Sequence, residues 1–546
     1  MGSALSSGVT GMQAHQKMLD VTGNNLSNVN TTSFKSSRVN FSEMLSRTMR
    51  DATAPAGNIG GTNPMQVGSG VQLGGTMKNM TDGDLETTGR PLDCAIEGAG
   101  YFAMSNGQQE VYTRVGAFAV DSDNYLVDPA TGYRVQRMGN TGVADGFQSE
   151  NDTDIRVPYD VSLPAKSTEN VSFTGNLNSD ADDPTTQILE SGMRFTSGGA
   201  TAGTSTLLSD LDQASDLTGG TLTISGTAHD GTDIADRDVT IDPAATTVGD
   251  LLSEIETAFG GNVAASLSGG EILVQDGTSG YSRLDMNLAY SGAGSMDLPS
   301  YFQIASAGGQ AVEKVNLDVF DAKGTGHTLS AAFVKTEQPN TWDLVMTSLT
   351  GDIASVGDRR IEGIQFMPNG AFGGLAGSEE PVFDVTYANE PGATELAVNL
   401  GTPGEFDGIT QFGEASTINP SGQDGYAAGS LTSVSVNREG VLVGVFSNGV
   451  RKDLAAMQLA TFQNPAGLTS AGNNYYEASA NSGDPVAKQA NSGGAGTVRG
   501  AALEKSNVDT ATEFVQLIQA QNGFQANART IRVANDILKE LAQLIR

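Results

Sequence analysis

The sequence predicts a mainly β, multidomain protein that stands on a stem of paired N- and C-terminal coiled-coil-like α-helices. The chain has 546 residues, which is too long for one compact domain. Glycine fills 69 positions, while charged residues make up 17% and aromatic residues 6% of the chain. This composition indicates many short strands and tight turns, and it lacks the charge-dominated profile of a disordered chain. Both ends of the chain, in contrast, carry apolar residues at every seventh position.

The two heptad stripes predict the stem. The N-terminal stripe consists of Leu5, Met12, Leu19 and Leu26, and the C-terminal stripe consists of Leu517, Phe524, Ile531, Leu538 and Ile545. A strict seven-residue period keeps an apolar seam in register along helices that supercoil. Two ordinary core-facing helices are the alternative, but stripes at opposite ends of a β-like chain favour a stem. Because two helices leave much apolar surface uncovered, we expect further copies of the chain to cover it, with these nine residues as the self-assembly stem.

The start of the C-terminal helix has a sequence signal of its own. Thr510 and Glu513 have the Ser/Thr-x-x-Glu spacing of a capping box. A helix from Thr510 to Arg546 would be roughly 55 Å long at 1.5 Å per residue.

Charge and reactive residues exclude several classes of function. The chain has 30 Lys and Arg residues against 63 Asp and Glu residues, a formal net charge of −33. This balance disfavours a nucleic-acid partner and an anionic membrane surface. No stretch approaches the ~20 apolar residues that span a bilayer, so no membrane insertion is expected. Cys94 is the sole cysteine, and His15, His229 and His327 are widely separated, so neither a disulfide nor a metal site is predicted, and no cofactor.

Motifs at the two ends resemble a known family. The stretch from Asn24 to Lys35, NNLSNVNTTSFK, resembles the N-terminal signature of the bacterial flagellar rod and hook family. LEKSNVD at 503–509, followed by QAQNGFQANA at 519–528, resembles its C-terminal signature. The residues carried over as the family motif are Asn24, Asn25, Asn28, Asn30, Phe34, Asn507, Val508, Gln525, Ala526 and Asn527. Two departures are visible, since Ser33 stands where the family usually has glycine, and Gly523-Phe524 where it favours a basic residue and tyrosine.

The resemblance also implies a nested domain order, in which the chain leaves and re-enters each domain. The expected parts are a helical stem at 1–30 and 506–546, a linker or extended segment at 31–75, a first β-rich domain at 76–150 and 409–505, a second β-rich domain at 151–190 and 305–408, and an inserted outer α+β domain at 191–304. In the insertion, helical spacing over 248–259 precedes strand-like runs at 263–267 and 272–274. This unit looks like a small module of flagellins, and an unrelated α+β surface domain is equally open.

The function that the resemblance implies is structural. It implies a subunit of the flagellar hook that self-assembles into the curved, flexible tube joining rod to filament, which transmits torque in motility. The implied partners are further copies of the chain, the distal rod protein, the hook cap, the hook–filament junction protein and the flagellar export apparatus. The implied location is extracellular, after export without a cleaved signal peptide, since the N-terminus lacks a basic region followed by an apolar core.

Three other functions are weighed against this one. A hook–filament junction protein or a distal rod protein shares parts of the motifs, and the stretch QDGYAAGSL at 423–431 favours the hook. A secreted β-rich adhesin would need a concentrated aromatic or charged surface, which the sequence does not show. An enzyme is not expected, because the acidic pairs lack a nucleophile-and-base arrangement and Cys94 lies in a stretch typical of a buried strand.

Overall fold

The computed structural model describes residues 2–377, 380–388 and 392–544, so the predicted stem residue Ile545 lies outside the described part. The chain divides into two compact units, one formed by residues 1–163 with 430–546 and the other by residues 164–429. The second unit is thus inserted between the two halves of the first. None of the described helices is both long and apolar enough to span a membrane.

The elements follow one another in chain order. The first half of the first unit contains α1 (Gly2–Ser27), β1 (Ser37–Glu43), β2 (Arg47–Arg50), β3 (Met65–Val67), β4 (Val71–Lys78), β5 (Leu85–Thr87), β6 (Cys94–Glu97), β7 (Tyr101–Ser105), β8 (Glu110–Thr113), β9 (Ala119–Val120), β10 (Leu126–Val127), β11 (Arg134–Val135) and β12 (Ser162–Leu163).

The described residues of the second unit form one α-helix and 22 strands. They are β13 (Asn170–Asn178), β14 (Thr186–Glu190), β15 (Thr196–Ser197), β16 (Ala200–Thr201), β17 (Ala214–Ser215), β18 (Thr221–Thr227), β19 (Arg237–Thr240), α2 (Val248–Ala258), β20 (Val263–Ser268), β21 (Glu271–Ser279), β22 (Asp285–Ser291), β23 (Ser295–Met296), β24 (Gln303–Ser306), β25 (Val312–Phe320), β26 (Gly326–Lys335), β27 (Thr341–Leu349), β28 (Ile353–Val356), β29 (Arg360–Phe366), β30 (Phe372–Leu375), β31 (Val382–Tyr387), β32 (Thr394–Asn399), β33 (Ile409–Phe412) and β34 (Asn419–Gln423).

The chain then returns to the first unit. Its elements are β35 (Gly429–Val436), β36 (Val441–Phe446), β37 (Arg451–Ala456), β38 (Leu459–Thr461), β39 (Thr469–Gly472), β40 (Tyr475–Glu477), β41 (Val486–Lys488), β42 (Thr497–Gly500), β43 (Ala502–Glu504) and α3 (Thr510–Leu544).

The sheets of the first unit join its two halves. In the nine-stranded sheet, β40 pairs with β8 and β38 pairs with β7. The pairs β42–β6 and β43–β5 also join the two halves, just before the chain enters α3. Each pair joins strands more than 350 residues apart in sequence, so this unit is completed only when the returning chain arrives.

The segment at 31–75, expected as a linker or extended segment, is extended but pairs with itself. β1 pairs with β4 and β2 with β3 in one antiparallel ribbon, and the bridges Thr53↔Thr62 and Ala56↔Ile59 continue it to the tip. All residues of β2 and β3 are exposed. Because β2 and β3 are open on both faces, they do not require the alternation of apolar and polar residues that marks a half-buried strand. This explains why the sequence of this part is typical of a loop.

The second unit has two cores, one on each face of its central sheet. The sheet β25-β26-β27-β29-β30 buries Phe333 and Trp342 on one face, against the sheet that contains β13, β32 and β31. On its other face, Val334 and Val345 join the core formed by β14 to β24 and α2. Successive side chains of a strand point to opposite faces, and therefore β26 and β27 are buried on both sides.

The observed unit boundaries differ from the expected ones at residues 150 and 408. β33 lies parallel to β13, and β34 lies antiparallel to the same strand. Residues 409–429 therefore belong to the second unit, and residues 151–163 to the first. The helix expected over 248–259 is present as α2, with a capping box between Thr247 and Asp250.

Asp424 holds together the two segments through which the chain enters and leaves the second unit. Its carboxylate accepts hydrogen bonds from Lys166 Nζ at 2.8 Å, from the backbone N–H groups of Glu169 and Asn170 at 2.9 Å, and from Asn170 Nδ2 at 3.0 Å. Burial alone would raise the pKa of Asp424, but the hydrogen bonds from Lys166 and Asn170 hold that pKa well below its usual range.

The Asp424 contacts predict an acid-dependent loss of stability. A depressed carboxyl pKa stabilises the fold above the unfolded value of ~3.9, and this contribution is lost as the pH falls towards the folded pKa. We expect Asp424→Asn to destabilise the second unit at pH 7 and the difference from the parent to shrink below about pH 4. Urea unfolding followed by the fluorescence of Trp342, the sole tryptophan, which is buried in this unit, measures the effect. Exposed Glu395→Gln is the control, and an equal loss at every pH would contradict the prediction.

Candidate assembly interface

The stem is an antiparallel pair of helices that approach closely at glycines. A Cβ placed on Gly8 would lie 2.9 Å from Ile531 Cγ1, and one on Gly11 would lie 2.7 Å from Asn527 Oδ1. Farther along α1, the ring of His15 occupies the space that a side chain at position 523 would need. Contact positions rise along α1 as they fall along α3, which makes the pair antiparallel.

The centre of this seam is formed by small and polar residues. The buried residues of α1 are Gly8, Gly11, Ala14, Thr22 and Asn25, and those of α3 are Glu513 and Ala520. The predicted stripe of α1 flanks the seam, because Leu5, Met12, Leu19 and Leu26 are all half-buried. On α3, Leu517, Phe524 and Ile531 are half-buried, while Leu538 is 44% exposed. Leu538 is seven residues past Ile531, which contacts Gly8. It therefore lies beyond Gly2, the first described residue of α1.

The predicted capping box at the start of α3 is wrong. Asp509 caps the helix, since its carboxylate accepts hydrogen bonds from the N–H of Ala511 at 2.9 Å and from Thr512 Oγ1 at 2.7 Å. Glu513 faces α1, where its Oε1 accepts a hydrogen bond from Asn25 Nδ2 at 3.0 Å. The Glu513 carboxylate therefore binds Asn25 of α1 and not the backbone at the start of its own helix.

A buried ion cluster lies where both family motifs meet. Lys35 Nζ lies 2.5 Å from Glu504 Oε1, and both side chains are at most 1% exposed. Arg114 is 3.6 Å from the other oxygen of Glu504 and also pairs with Asp82. Burial lowers the pKa of Lys35, and the Glu504 carboxylate opposes this shift. Two cations and two anions make the cluster neutral, as a buried site requires.

Asn507 and Asn25 satisfy backbone groups at the same junction. Asn507 Oδ1 accepts the N–H of Ser36 at 2.8 Å, and its Nδ2 donates to the carbonyls of Asn79 and Thr81. Asn25 exchanges two hydrogen bonds with the backbone of Ser37. These two asparagines thus fix the start of β1 to α1 and to the segment before α3.

The other motif residues contribute less to this contact. Asn527 packs on Gly11, and Asn28 donates to the carbonyl of Asn24 within the last turn of α1. Phe34 and Val508 are half-buried, whereas Asn24, Asn30, Gln525 and Ala526 are exposed. The structure therefore brings Asn25 and Asn507 together at the start of β1, while Asn527 contacts α1 at Gly11, about four turns away.

Comparisons with known proteins identify the family of the chain. Four family models match the chain: "Flagella basal body rod protein" over residues 5–35, "Flagellar hook protein FlgE/F/G D1 domain" over 95–177, "Flagellar basal body protein FlaE D2 domain" over 293–426, and "Flagellar basal body rod FlgEFG protein C-terminal" over 499–544. The flagellar hook protein FlgE of Treponema pallidum is 32% identical over 560 residues, with 100% of both chains covered. The chain belongs to the flagellar hook protein family.

The chain is also similar to two further proteins. The flagellar hook protein FlgE of Borreliella burgdorferi is 30% identical over 549 residues, again with 100% of both chains covered. A crystal structure of the Helicobacter pylori flagellar hook protein FlgE2 is 17% identical, with a TM-score of 0.40, and covers 77% of this chain and 100% of that chain.

Both departures from the hook family pattern have a local explanation. Ser33 has a φ of +56°, in the left-handed region that favours glycine, and its Oγ donates to the carbonyl of Arg114 at 2.9 Å. The hydrogen bond offsets part of the strain. Gly523 provides the space that His15 fills, so the missing side chain on one helix is complemented by a ring on the other.

Two groups of residues were missed by the sequence reasoning. Gly8, Gly11 and Glu513 form the seam, and the spacing Gly-x-x-Gly in α1 was the available signal. The ribbon and α3 also carry large apolar side chains that are more than one-third exposed, namely Phe41, Leu45, Met49, Ile59, Met65, Phe514, Val515, Ile518, Val533, Ile537 and Leu541.

Of the residues considered for chemistry from the sequence, His15 lies in the seam, whereas Cys94 lies on β6. Cys94 is fully buried on β6, and burial raises the pKa of its thiol. Among the described residues, no three His, Cys, Asp or Glu side chains lie close enough together to hold a metal ion.

The ion cluster predicts a large effect of removing one partner. Lys35→Met leaves Glu504 buried without its closest cation, and losses of ~3–5 kcal/mol are typical of such changes. We expect hydrogen exchange of β43 and β5 to accelerate accordingly. Combining Lys35→Met with Glu504→Gln should restore part of the loss, while Lys17→Met, in an exposed pair, should change little. Strictly additive effects of the two changes would contradict a coupled pair.

Ser33 predicts an unusual order of substitutions. Ser33→Ala keeps the left-handed strain and loses the hydrogen bond to Arg114, at a cost of ~1 kcal/mol. Ser33→Gly loses the same bond but relieves ~1–2 kcal/mol of strain, so its free energy of unfolding should exceed that of the alanine variant. Denaturant unfolding of the first unit, followed by hydrogen exchange, ranks the two variants, and a less stable glycine variant would refute the explanation.

Proposed function

We propose that this chain self-assembles through its helical stem into the curved, flexible tube of the flagellar hook, which joins rod to filament and transmits torque. The observation that carries the proposal is the apolar surface of α3 that the chain itself leaves uncovered. Membership of the hook family and the match to hook proteins over the whole chain support the hook over a distal rod or junction protein.

The uncovered surface forms two patches. The first patch, Phe514, Val515 and Ile518, lies near the start of α3, and these residues are 52–54% exposed. The second patch comprises Val533, Ile537, Leu538 and Leu541 near its end, which are 37–58% exposed. A soluble helix usually places polar residues on its outer face, and exposed apolar patches mark interaction sites.

The two helices of the stem also carry no net charge, which suits contact between identical copies. α1 contains one lysine and one aspartate, and α3 contains three basic and three acidic residues. Both helices are thus formally neutral in a chain whose net charge is −33. Identical neutral surfaces can pack side by side without the repulsion that like charges would add, so a second copy is the partner that this stem fits best.

The remaining parts of the proposal follow from the family. The tube would contact the distal rod protein at one end, and the hook cap and then the hook–filament junction protein at the other. The subunit would reach its extracellular place through the flagellar export apparatus without a cleaved signal peptide. Its role is structural and non-catalytic.

Electron microscopy tests the proposal directly. Purified full-length protein, concentrated under assembly conditions, should form helical tubes that sediment. A protein that stays monomeric while correctly folded would count against it.

The two faces of α3 predict different variants. Replacing Ile518, Val533 and Ile537 together by Ser should prevent tube formation, because each covered side chain contributes up to ~1.5–3 kcal/mol and every subunit carries the change. The free chain should keep its stability, since these side chains face solvent. Replacing Leu517, Ile531 and Leu538 by Ser should also prevent tubes, but the first two changes disturb the seam within the chain.

Sedimentation, negative-stain imaging and unfolding of the first unit separate the two effects. The control replaces the exposed polar residues Gln519, Gln521 and Asn522 by Ser on the same helix. Tubes formed by the Ile518, Val533 and Ile537 variant would exclude the outer face as the assembly surface.

A further inference from the structure

We propose that three polar residues of the seam, Asn25, Glu513 and Asn527, set the register of α1 against α3. They act as positioning residues, because they fix which turn of one helix faces which turn of the other. The register is a property of the single chain. Its consequence for assembly, that it determines which apolar residues of α3 stay uncovered, rests on the proposed function.

The first contact fixes one end of the seam. Asn25 is 1% exposed and Glu513 is 6% exposed, and Asn25 Nδ2 donates to Glu513 Oε1 at 3.0 Å. The same Asn25 is bound on both sides of its amide to the backbone of Ser37. The Glu513 carboxylate therefore accepts a hydrogen bond from an amide group whose position is already fixed by its bonds to Ser37.

The second contact lies four helical turns away. Asn527 sits against Gly11, where any larger residue of α1 would collide with its side chain. Its Nδ2 donates to the carbonyl of Gly523 at 2.9 Å, which holds the side chain in place. Between the two contacts, the ring of His15 fills the space above Gly523.

Apolar packing alone would not select this register. The apolar residues of α3 recur every seven positions, at Leu517, Phe524, Ile531 and Leu538. If α3 slides by one heptad along α1, each of them is therefore moved into the position that its neighbour in the stripe occupied. The polar contacts do not repeat in this way. A slip of seven residues that places Leu538 opposite Gly8 would place Asn527 level with Met18 and Glu513 level with Thr32, beyond the end of α1. A buried carboxylate would then lose its donor, which disfavours the slipped pairing.

The register matters because it sets the surface that remains for another copy. A slip of one heptad moves α3 along α1 by roughly 10 Å at 1.5 Å per residue. Leu538 of the second apolar patch would then lie opposite Gly8 and become covered, and the rest of the patch would shift along α1 by the same distance. Neighbouring copies could then no longer present matching patches.

Disulfide trapping in the full-length chain measures the register. The native pair is Gly8→Cys with Ile531→Cys, since a Cβ on Gly8 would lie 2.9 Å from Ile531 Cγ1, and the slipped pair is Gly8→Cys with Leu538→Cys. Cys94 is buried on β6 and does not compete. Under mild oxidation, intramolecular disulfides are identified by mass spectrometry of the monomer band. In the parent, we expect the native pair to close at least about tenfold faster than the slipped pair, as a specified register requires.

The decisive comparison removes the polar contacts without shortening the side chains. In a background of Asn25→Leu, Glu513→Met and Asn527→Leu, the slipped pair should close within about threefold of the native pair. A background with the exposed changes Gln13→Leu, Gln519→Met and Asn522→Leu should behave as the parent. Glu513→Gln, which keeps an acceptor for Asn25, should also retain the native register.

Each outcome bears on the proposal. Equal closure of both pairs in the parent, or native-only closure in the triple variant, would overturn it. If the triple variant does not fold by circular dichroism, the single Glu513→Met variant replaces it, with slipped closure expected to rise above the parent, and no rise overturns the proposal. Sedimentation is recorded separately: failure of the parent to form tubes while its native pair closes counts against the proposed function and leaves the register intact.

Discussion

The buried pair of Lys35 and Glu504 is the interaction on which the first unit depends. An unpaired charge in a site at most 1% exposed is very costly, so neither residue is tolerable there without the other. The two lie 469 residues apart in sequence, and the whole second unit is inserted between them. The first unit can therefore be completed only after the chain has passed through the second unit and returned. The neighbouring pairs β43–β5 and β42–β6 have the same dependence.

The terminal helices show what a heptad pattern reveals and what it hides. The pattern predicted both helices, and of the predicted positions of α3, Ile531 lies against Gly8 while Leu517 and Phe524 are half-buried. For α1, the pattern indicated Leu5, Met12, Leu19 and Leu26, which flank the seam. Gly8 and Gly11, which close packing requires in the seam, carry no hydropathy signal. The pattern also assigned Glu513 to a local cap, whereas the carboxylate binds Asn25 on the other helix. Sequence spacing shows local partners, and this partner is 488 residues away.

The β-rich parts follow the same rule. α2 was predictable because its apolar spacing and its cap are both local. The pairing of β2 with β3 was not, because a strand exposed on both faces needs no alternation. Ser33 and Gly523 departed from the hook family pattern for reasons that only the fold shows: a carbonyl of Arg114 in one case and the ring of His15 in the other. The boundary near residue 408 was misplaced because β33 and β34 pair with β13, far upstream.

The stem divides its polar and apolar residues between two tasks. Directional hydrogen bonds, such as that between Asn25 and Glu513, lie inside the chain, where one geometry satisfies them and a shifted one does not. Non-directional apolar contact is left on the outer face of α3, where it tolerates small changes in the position of a neighbour. In the tube that we propose, this combination would let each subunit keep its own shape while its contacts with other subunits shift. The specific contacts would then lie within the subunit and the permissive ones between subunits, on a single pair of helices.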